Sequence, residues 1–230
     1  MNDILATIPK AYDGRCNEYD LVQASPEPIR EALLALIGHE LSGQILEAGS
    51  GRGEWIKSLK QLKDIKRIVS VDIVDPGVSK MPGVEFYLCD LSYDPLPFET
   101  GELDWIFAIE LLEHLANPRH IIMEASRCLR KGGRLVVTTP CNDALTSRLS
   151  FLFRGYFPGF CDQVYKYSGH ITPLSELDVT RMSTEAKFSR VNFHYPIPGR
   201  IPKTNIPWQK FFPFLHGKLW SDNLIAILTK

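Results

Sequence analysis

Short apolar runs alternate along the chain with segments whose apolar residues return every three or four positions. In "PEPIREALLALIGHEL", Leu33, Leu34, Ile37 and Leu41 fall at helical spacing behind a Pro–Glu start, which predicts a helix from about Glu27 to Leu41. "QILEAG" predicts a strand running into a glycine turn, and "GEWIKSLKQL" the helix that follows. "RIVSVDI" and "VEFYLCD" predict a second and a third strand, rich in β-branched and aromatic residues. "LDWIFAIE" is apolar on both faces, as a buried parallel strand should be. "PRHIIMEASRCLR" predicts a helix opened by proline and closed at Lys131-Gly132-Gly133, followed by the strand "RLVVTTP".

Strands alternating with helices predict a parallel sheet covered on both faces. Ligands of such sheets bind beyond the carboxyl ends of the strands. The glycine turn, Asp72, Asp90 and Glu110 all fall at strand ends, so they are expected to converge on one rim. After Pro140 the pattern changes. "LSELDVTRMSTEAKFSRVNFHYP" predicts a helix and a strand, and "NLIAILTK" a last strand. These two strands are expected to pair at the sheet edge, with a Pro- and aromatic-rich insert, 196–220, between them.

The turn itself, "LEAGSGRGE", spaces its glycines as Gly49-x-Gly51-x-Gly53. A dinucleotide site needs G-x-G-x-x-G/A, and Glu54 stands where the last small residue should be. No Gly-Lys-Ser/Thr follows, which disfavours a P-loop. Glu47 before the turn would repel a pyrophosphate and attract a cation. Asp72, 23 residues after Gly49, suits the two hydroxyls of a ribose. The expected ligand therefore carries a ribose, a positive charge and no pyrophosphate, a description that S-adenosylmethionine meets.

With these residues in view, the chain resembles the class I S-adenosylmethionine-dependent methyltransferases, in particular the small single-domain, type 11-like group. "LEAGSGRGE", "VSVDI", "YLCDL", "AIELLEHL" and "CLRKGGRLVVTTP" resemble that family's motifs in order, over roughly Ile45 to Pro140. The resemblance implies a Rossmann-like, seven-stranded, mostly parallel sheet with helices on both faces and an antiparallel C-terminal edge strand. It implies one domain over 1–230, with an N-terminal lid (1–25), a cofactor-binding core (26–140) and an acceptor-side region (141–230). The implied cofactor residues are Glu47, Gly49, Ser50, Gly51, Gly53, Asp72, Ile73, Asp90, Leu91 and Glu110. Tyr19 would be a lid residue. Asp90 also fits a turn cap, Glu113 reads as a helix-start or surface charge, and Trp55 and Trp105 as packing residues.

Methyl transfer to a hydroxyl needs a proton acceptor, and His114 in "ELLEHL" and His170 in "SGHITPLSELD" are placed to serve. His39 and His120 fall within predicted helices. No cluster of histidines and carboxylates suggests a catalytic metal, so none is expected. Small-molecule or glycan O-methylation is the leading expectation. The alternatives are O- or C-methylation of a quinone or lipid, and a non-catalytic S-adenosylmethionine-binding module.

The formal net charge of −1 argues against nucleic acid as a partner. It is divided unevenly, with +6 from Arg148 onward and −7 before it. Together with Phe151, Phe153, Tyr156, Phe157, Trp208, Phe211, Phe212 and Phe214, the basic end fits either a peripheral membrane contact or packing of the insert and a homodimer contact. Five cysteines without CxxC spacing, and a start lacking a signal-peptide pattern, point to the cytoplasm.

Overall fold

The computed structural model describes residues 25–202 and 204–230. Seven strands form one sheet in the order β3-β2-β1-β4-β5-β7-β6. They are β1 (Gly43–Ala48), β2 (Ile65–Asp72), β3 (Val84–Leu88), β4 (Leu103–Ile109), β5 (Leu129–Pro140), β6 (Arg190–His194) and β7 (Asn223–Thr229). β1 to β5 pair in parallel. β7 runs antiparallel between β5 and β6, so the last two strands pair at one edge as expected. The chain order reverses between β1 and β4, which opens a crevice at their carboxyl ends.

Helices cover both faces because each presents one apolar stripe. On one face, α1 (Glu27–Ile37) buries Ile29, Leu33 and Ile37, and α2 (Glu54–Leu59) buries Trp55, Ile56 and Leu59. They pack against Ile45, Trp105, Phe107 and Val136 of the sheet. On the other face, α3 (Pro118–Cys128) and α6 (Glu176–Glu185) pack on Leu46, Ile106, Leu135 and Val137. Two further helices, α4 (Leu145–Arg154) and α5 (Asp162–Ser168), bury no residue. They follow β5 and flank its carboxyl end.

Several boundaries differ from the sequence pattern: α2 ends at Leu59 and β5 starts as early as Leu129. α1 ends at Ile37, and Gly38–Glu40 tighten into a 3₁₀ turn. Gly132 and Gly133 do not cap α3, which stops at Cys128; they lie inside β5, where its register with β4 shifts. A Cβ on Gly133 would sit 2.9 Å from the Arg130 carbonyl oxygen, so the close backbone approach requires glycine.

α6 opens with a reciprocal cap between Ser175 and Asp178. Its far end is less favourable. Lys187 takes a left-handed φ of 61°, where glycine is the usual residue. Its N–H still donates to the Thr184 carbonyl at 3.0 Å, and that of Phe188 to Ser183 at 3.0 Å. Lys187→Gly is therefore expected to stabilise the protein by about 1 kcal/mol. Urea unfolding should show a raised midpoint with an unchanged slope.

Candidate active site

The expected rim is assembled. Gly49, Gly51 and Gly53 all take positive φ in the loop from β1 to α2. The Gly49 N–H donates to the Val71 carbonyl at 2.8 Å, tying the turn to β2. A Cβ on Gly49 would meet Leu111 Cδ1 at 2.6 Å, so the first glycine abuts the loop after β4. Any side chain there would also have to hold a φ of 72°.

Asp72 closes β2. One carboxylate oxygen accepts from the Gly51 N–H at 2.9 Å and the other from the Ile73 N–H at 2.7 Å. Burial nevertheless pushes its pKa up to about 6, against these hydrogen bonds. The Cys89 N–H donates to the Asp72 carbonyl at 3.0 Å, which brings the Asp90-Leu91 turn alongside. Asp90 caps that turn by accepting from the Ser92 N–H at 2.9 Å, and Leu91 is buried beneath it. The turn-cap reading of Asp90 thus holds for one of its oxygens.

Glu47 is 1% exposed, and its Oε2 has no hydrogen-bond partner among the described residues. Burial first, and then the neighbouring Asp72 charge, raise its pKa well above the carboxylate range. Ser50 Oγ, Ser70 Oγ and Thr139 Oγ1 are also buried without partners. Glu47 and Ser70 are register partners on β1 and β2, Ser50 follows β1, and Thr139 stands next to the carboxyl end of β5. Buried polar groups are normally satisfied, so such a concentration marks space for a polar ligand and water.

β4 leads into the most constrained stretch. Glu110 has a φ of 48°, strained for a residue with a side chain. Its carboxylate accepts from Thr138 Oγ1 at 2.9 Å and Asn223 Nδ2 at 3.1 Å, and burial lifts its pKa to about 7. A 3₁₀ turn, Leu112–His114, follows directly. Glu113 is not a surface charge: it is 0% exposed, and among the described residues no donor meets hydrogen-bond geometry with its carboxylate, the Thr139 hydroxyl and its own N–H acting on it from outside that geometry. Its carbonyl accepts from the N–H groups of Ile171 and Thr172 at 2.9 and 3.0 Å. This clamps the His170 segment onto the turn.

His114 and His170 consequently meet edge to face, with ring centroids 4.7 Å apart. The Nδ1 of His170 lies 2.8 Å from the Gly159 carbonyl oxygen, which can only accept, so Nδ1 carries the hydrogen and Nε2 presents a lone pair. Burial, then the neighbouring His170, lowers the His114 pKa to about 4; burial likewise lowers that of His170. Burial thus favours the neutral form of both imidazoles. His39 is exposed beyond α1, and His120 lies 2.8 Å from the Asp94 carbonyl oxygen, so neither belongs to this rim.

Sequence reading missed Glu113, whose signal was its place three residues after Glu110 and beside His114. It also missed Thr138 and Asn223, which hold Glu110 and lie far from it in the chain. Tyr19 lies outside the described residues. Beyond β5, a cavity of about 470 Å³ opens between α4 and α6, lined by Asn142, Arg148, Phe151, Leu152, Leu174 and Asp178 among others.

A glycine turn, an aspartate closing the second strand and a crevice at the reversal point define a nucleoside-binding enzyme of the Rossmann-like type. A methyltransferase-domain family model matches residues 22–191, and the chain belongs to that family. It is an enzyme whose cofactor is S-adenosylmethionine.

An uncharacterized protein of Methanocaldococcus jannaschii, MJ1123, is 27% identical over 195 residues, covering 84% of this chain and 88% of that one. The malonyl-[acyl-carrier protein] O-methyltransferase of Hahella chejuensis is 24% identical, covering 57% of this chain and 49% of that protein. Several curated relatives are thus spanned over less than half of their length. Among solved structures, a SAM-dependent methyltransferase of Thermotoga maritima superposes with a TM-score of 0.63 at 17% identity, over 88% of this chain and 89% of that chain. One from Archaeoglobus fulgidus gives 0.62 at 16%, over 89% and 94%. Among the described residues no helix is long and apolar enough to cross a membrane.

Proposed function

We propose that the protein methylates a hydroxyl oxygen of a small molecule or glycan, with the acceptor entering beside His114 and His170. The observation carrying this reading is the pair of facing neutral imidazoles at the end of β4, next to the cofactor crevice. S-adenosylmethionine supplies an electrophilic methyl group whose leaving group is already good. The protein's part is then largely positioning, exclusion of water and removal of the acceptor's proton.

In this reading Asp72 receives the ribose hydroxyls, and Asp90 with the Leu91 backbone meets the adenine. Glu47 lies near the cationic end, whose positive charge would draw it into the ionised form against the burial that otherwise keeps it neutral. The turn glycines leave room for the cofactor to approach the backbone, and the strained Glu110 backbone lines the methionine portion. A neutral imidazole takes the hydroxyl proton as the oxygen attacks the methyl carbon. The cavity between α4 and α6 gives the remainder of the acceptor an apolar wall.

One observation favours a lipid or quinone acceptor as the second reading. Phe151, Leu152 and Phe153 on α4 are 53%, 72% and 79% exposed, beside that cavity and between Arg148 and Arg154. Aromatic residues flanked by arginines suit a lipid interface.

Methyl-labelled cofactor incubated with a cell extract, then fractionated, tests both. Label in the polar small-molecule or polysaccharide fraction is expected, and label in the lipid fraction would transfer the assignment to the second reading. Label in protein alone, or none, sinks both. With the acceptor known, His170→Ala should lower turnover about 100-fold while cofactor affinity stays within about twofold. An unchanged rate would place the proton acceptor elsewhere.

A further inference from the structure

Glu113, His114 and His170 each point a ligand atom into one space, and these atoms all lie within 4.8 Å of one another. We propose that they bind a divalent transition cation at the acceptor end of the crevice.

Three independent features support the site. Glu113 is fully buried, and among the described residues no donor meets hydrogen-bond geometry with either of its oxygens. Its own N–H and the Thr139 hydroxyl act on the carboxylate from outside that geometry, while Glu110 faces it with a second carboxylate. A cation would satisfy both oxygens directly. Next, each histidine is anchored from behind. His170 donates Nδ1–H to the Gly159 carbonyl at 2.8 Å, and the His114 ring is hydrogen-bonded to the backbone at Ser168 and Gly169. Metal-binding imidazoles are commonly fixed this way, one nitrogen held by a carbonyl and the other turned to the ion.

Finally, the scaffold is rigid where it matters. Glu113 and His114 share one 3₁₀ turn, and the Glu113 carbonyl holds the backbone at Ile171 and Thr172, next to His170. Ligands about 2.1 Å from one ion lie roughly 3 to 3.5 Å apart, so side-chain movement of about an ångström closes the site.

Two imidazoles and one carboxylate suit Mn(II), Co(II) or Zn(II) better than Mg(II) or Ca(II), which prefer oxygen. Three protein ligands leave open positions. Both histidines remain partly exposed. The consequence rests on the O-methylation reading: the acceptor hydroxyl would coordinate the cation, which lowers its pKa and fixes its direction of attack. With a cation bound the imidazole lone pairs would be committed to it, so the proton-acceptor role given to them above holds for the metal-free protein only, and the proton of the coordinated hydroxyl would pass to solvent. Cation binding itself does not depend on that reading.

The test is titration of untagged, metal-stripped protein with Mn(II), Co(II) and Zn(II), read by calorimetry and, for Mn(II), by electron paramagnetic resonance. One bound ion per chain is expected. Glu113→Gln and His170→Ala should each weaken binding at least tenfold. Their affinity for S-adenosylhomocysteine should stay within about twofold of the parent, which reports the fold independently. Failure of all three ions to bind overturns the proposal, as does equal binding by either folded variant. Should Glu113→Gln not fold, His170→Ala carries the test. Methyl transfer by a protein that binds no metal sinks the cation alone. Metal binding without any methyl transfer to oxygen leaves the site standing and removes the proposed reaction.

Discussion

Asp72→Ala should abolish most of the thermal stabilisation given by S-adenosylmethionine or S-adenosylhomocysteine, with affinity falling about 100-fold or more. Two charge-assisted hydrogen bonds are at stake, each worth about 1.5–3 kcal/mol to a charged acceptor. The fold should persist. Asp72 is partly exposed at the end of β2, and its loss frees the N–H groups of Gly51, Ile73 and Val74, which water in the crevice can reach. NAD should give no shift with either protein.

The pH dependence sharpens this result. Desolvation holds the Asp72 pKa at about 6, above the value of 3.8 for an unperturbed aspartate. A carboxyl raised by folding favours the folded protein fully below its unfolded pKa, and that contribution is lost as pH rises through 6. The ligand works in the opposite sense, since it needs the carboxylate. Its affinity should therefore weaken as pH falls from 7.5 to 5. Asp72→Asn imitates the protonated form: it should bind weakly with little dependence on pH across that range, while its ligand-free form melts no lower than the parent at pH 7.5. Isothermal titration at the two pH values decides the matter. A parent affinity independent of pH, or an Asp72→Ala shift equal to the parent's, takes Asp72 out of the site.

Trp55→Ala should be the most destabilising of the substitutions considered, at about 3–5 kcal/mol. Trp55 is fully buried in the first turn of α2, and its ring lies 5.0 Å from that of Phe107 on β4. Phe107 stacks in turn on Trp105 at 6.1 Å. Removing the indole opens a cavity between the helix and the sheet that surrounding side chains fill only in part. The melting temperature should fall by roughly 10 °C, as expected for a chain of this length. Because α2 begins right after Gly53, the loss also loosens the turn, so cofactor affinity should drop in the variant even below its melting temperature. Calorimetric unfolding with and without S-adenosylhomocysteine measures both. Trp55→Phe should cost much less, since Trp55 Nε1 has no hydrogen-bond partner to lose.

Much of this architecture was legible in the chain. Most strands are short and strongly patterned, so local periodicity indicated all seven, although β5 starts at Leu129, five residues before the segment read as strand. Their alternation with helices fixed the parallel class, and the glycine spacing with Asp72 indicated a nucleoside without a pyrophosphate. Such features depend on neighbours within about 20 residues, which a sequence displays directly.

Tertiary structure alone decided what depends on distant segments. Gly132 and Gly133 resemble a helix stop locally; contact with β4 makes them part of a strand. Glu113 resembles a surface charge, because nothing nearby in the chain records that it is covered. His170 comes to His114 only because the N–H groups of Ile171 and Thr172 find the Glu113 carbonyl, 58 and 59 positions back in the sequence. Periodicity reports which face of an element is apolar. It does not report which polar group from a remote element arrives opposite, and burial without a partner, on which the cation site rests, exists only once the chain has closed around it.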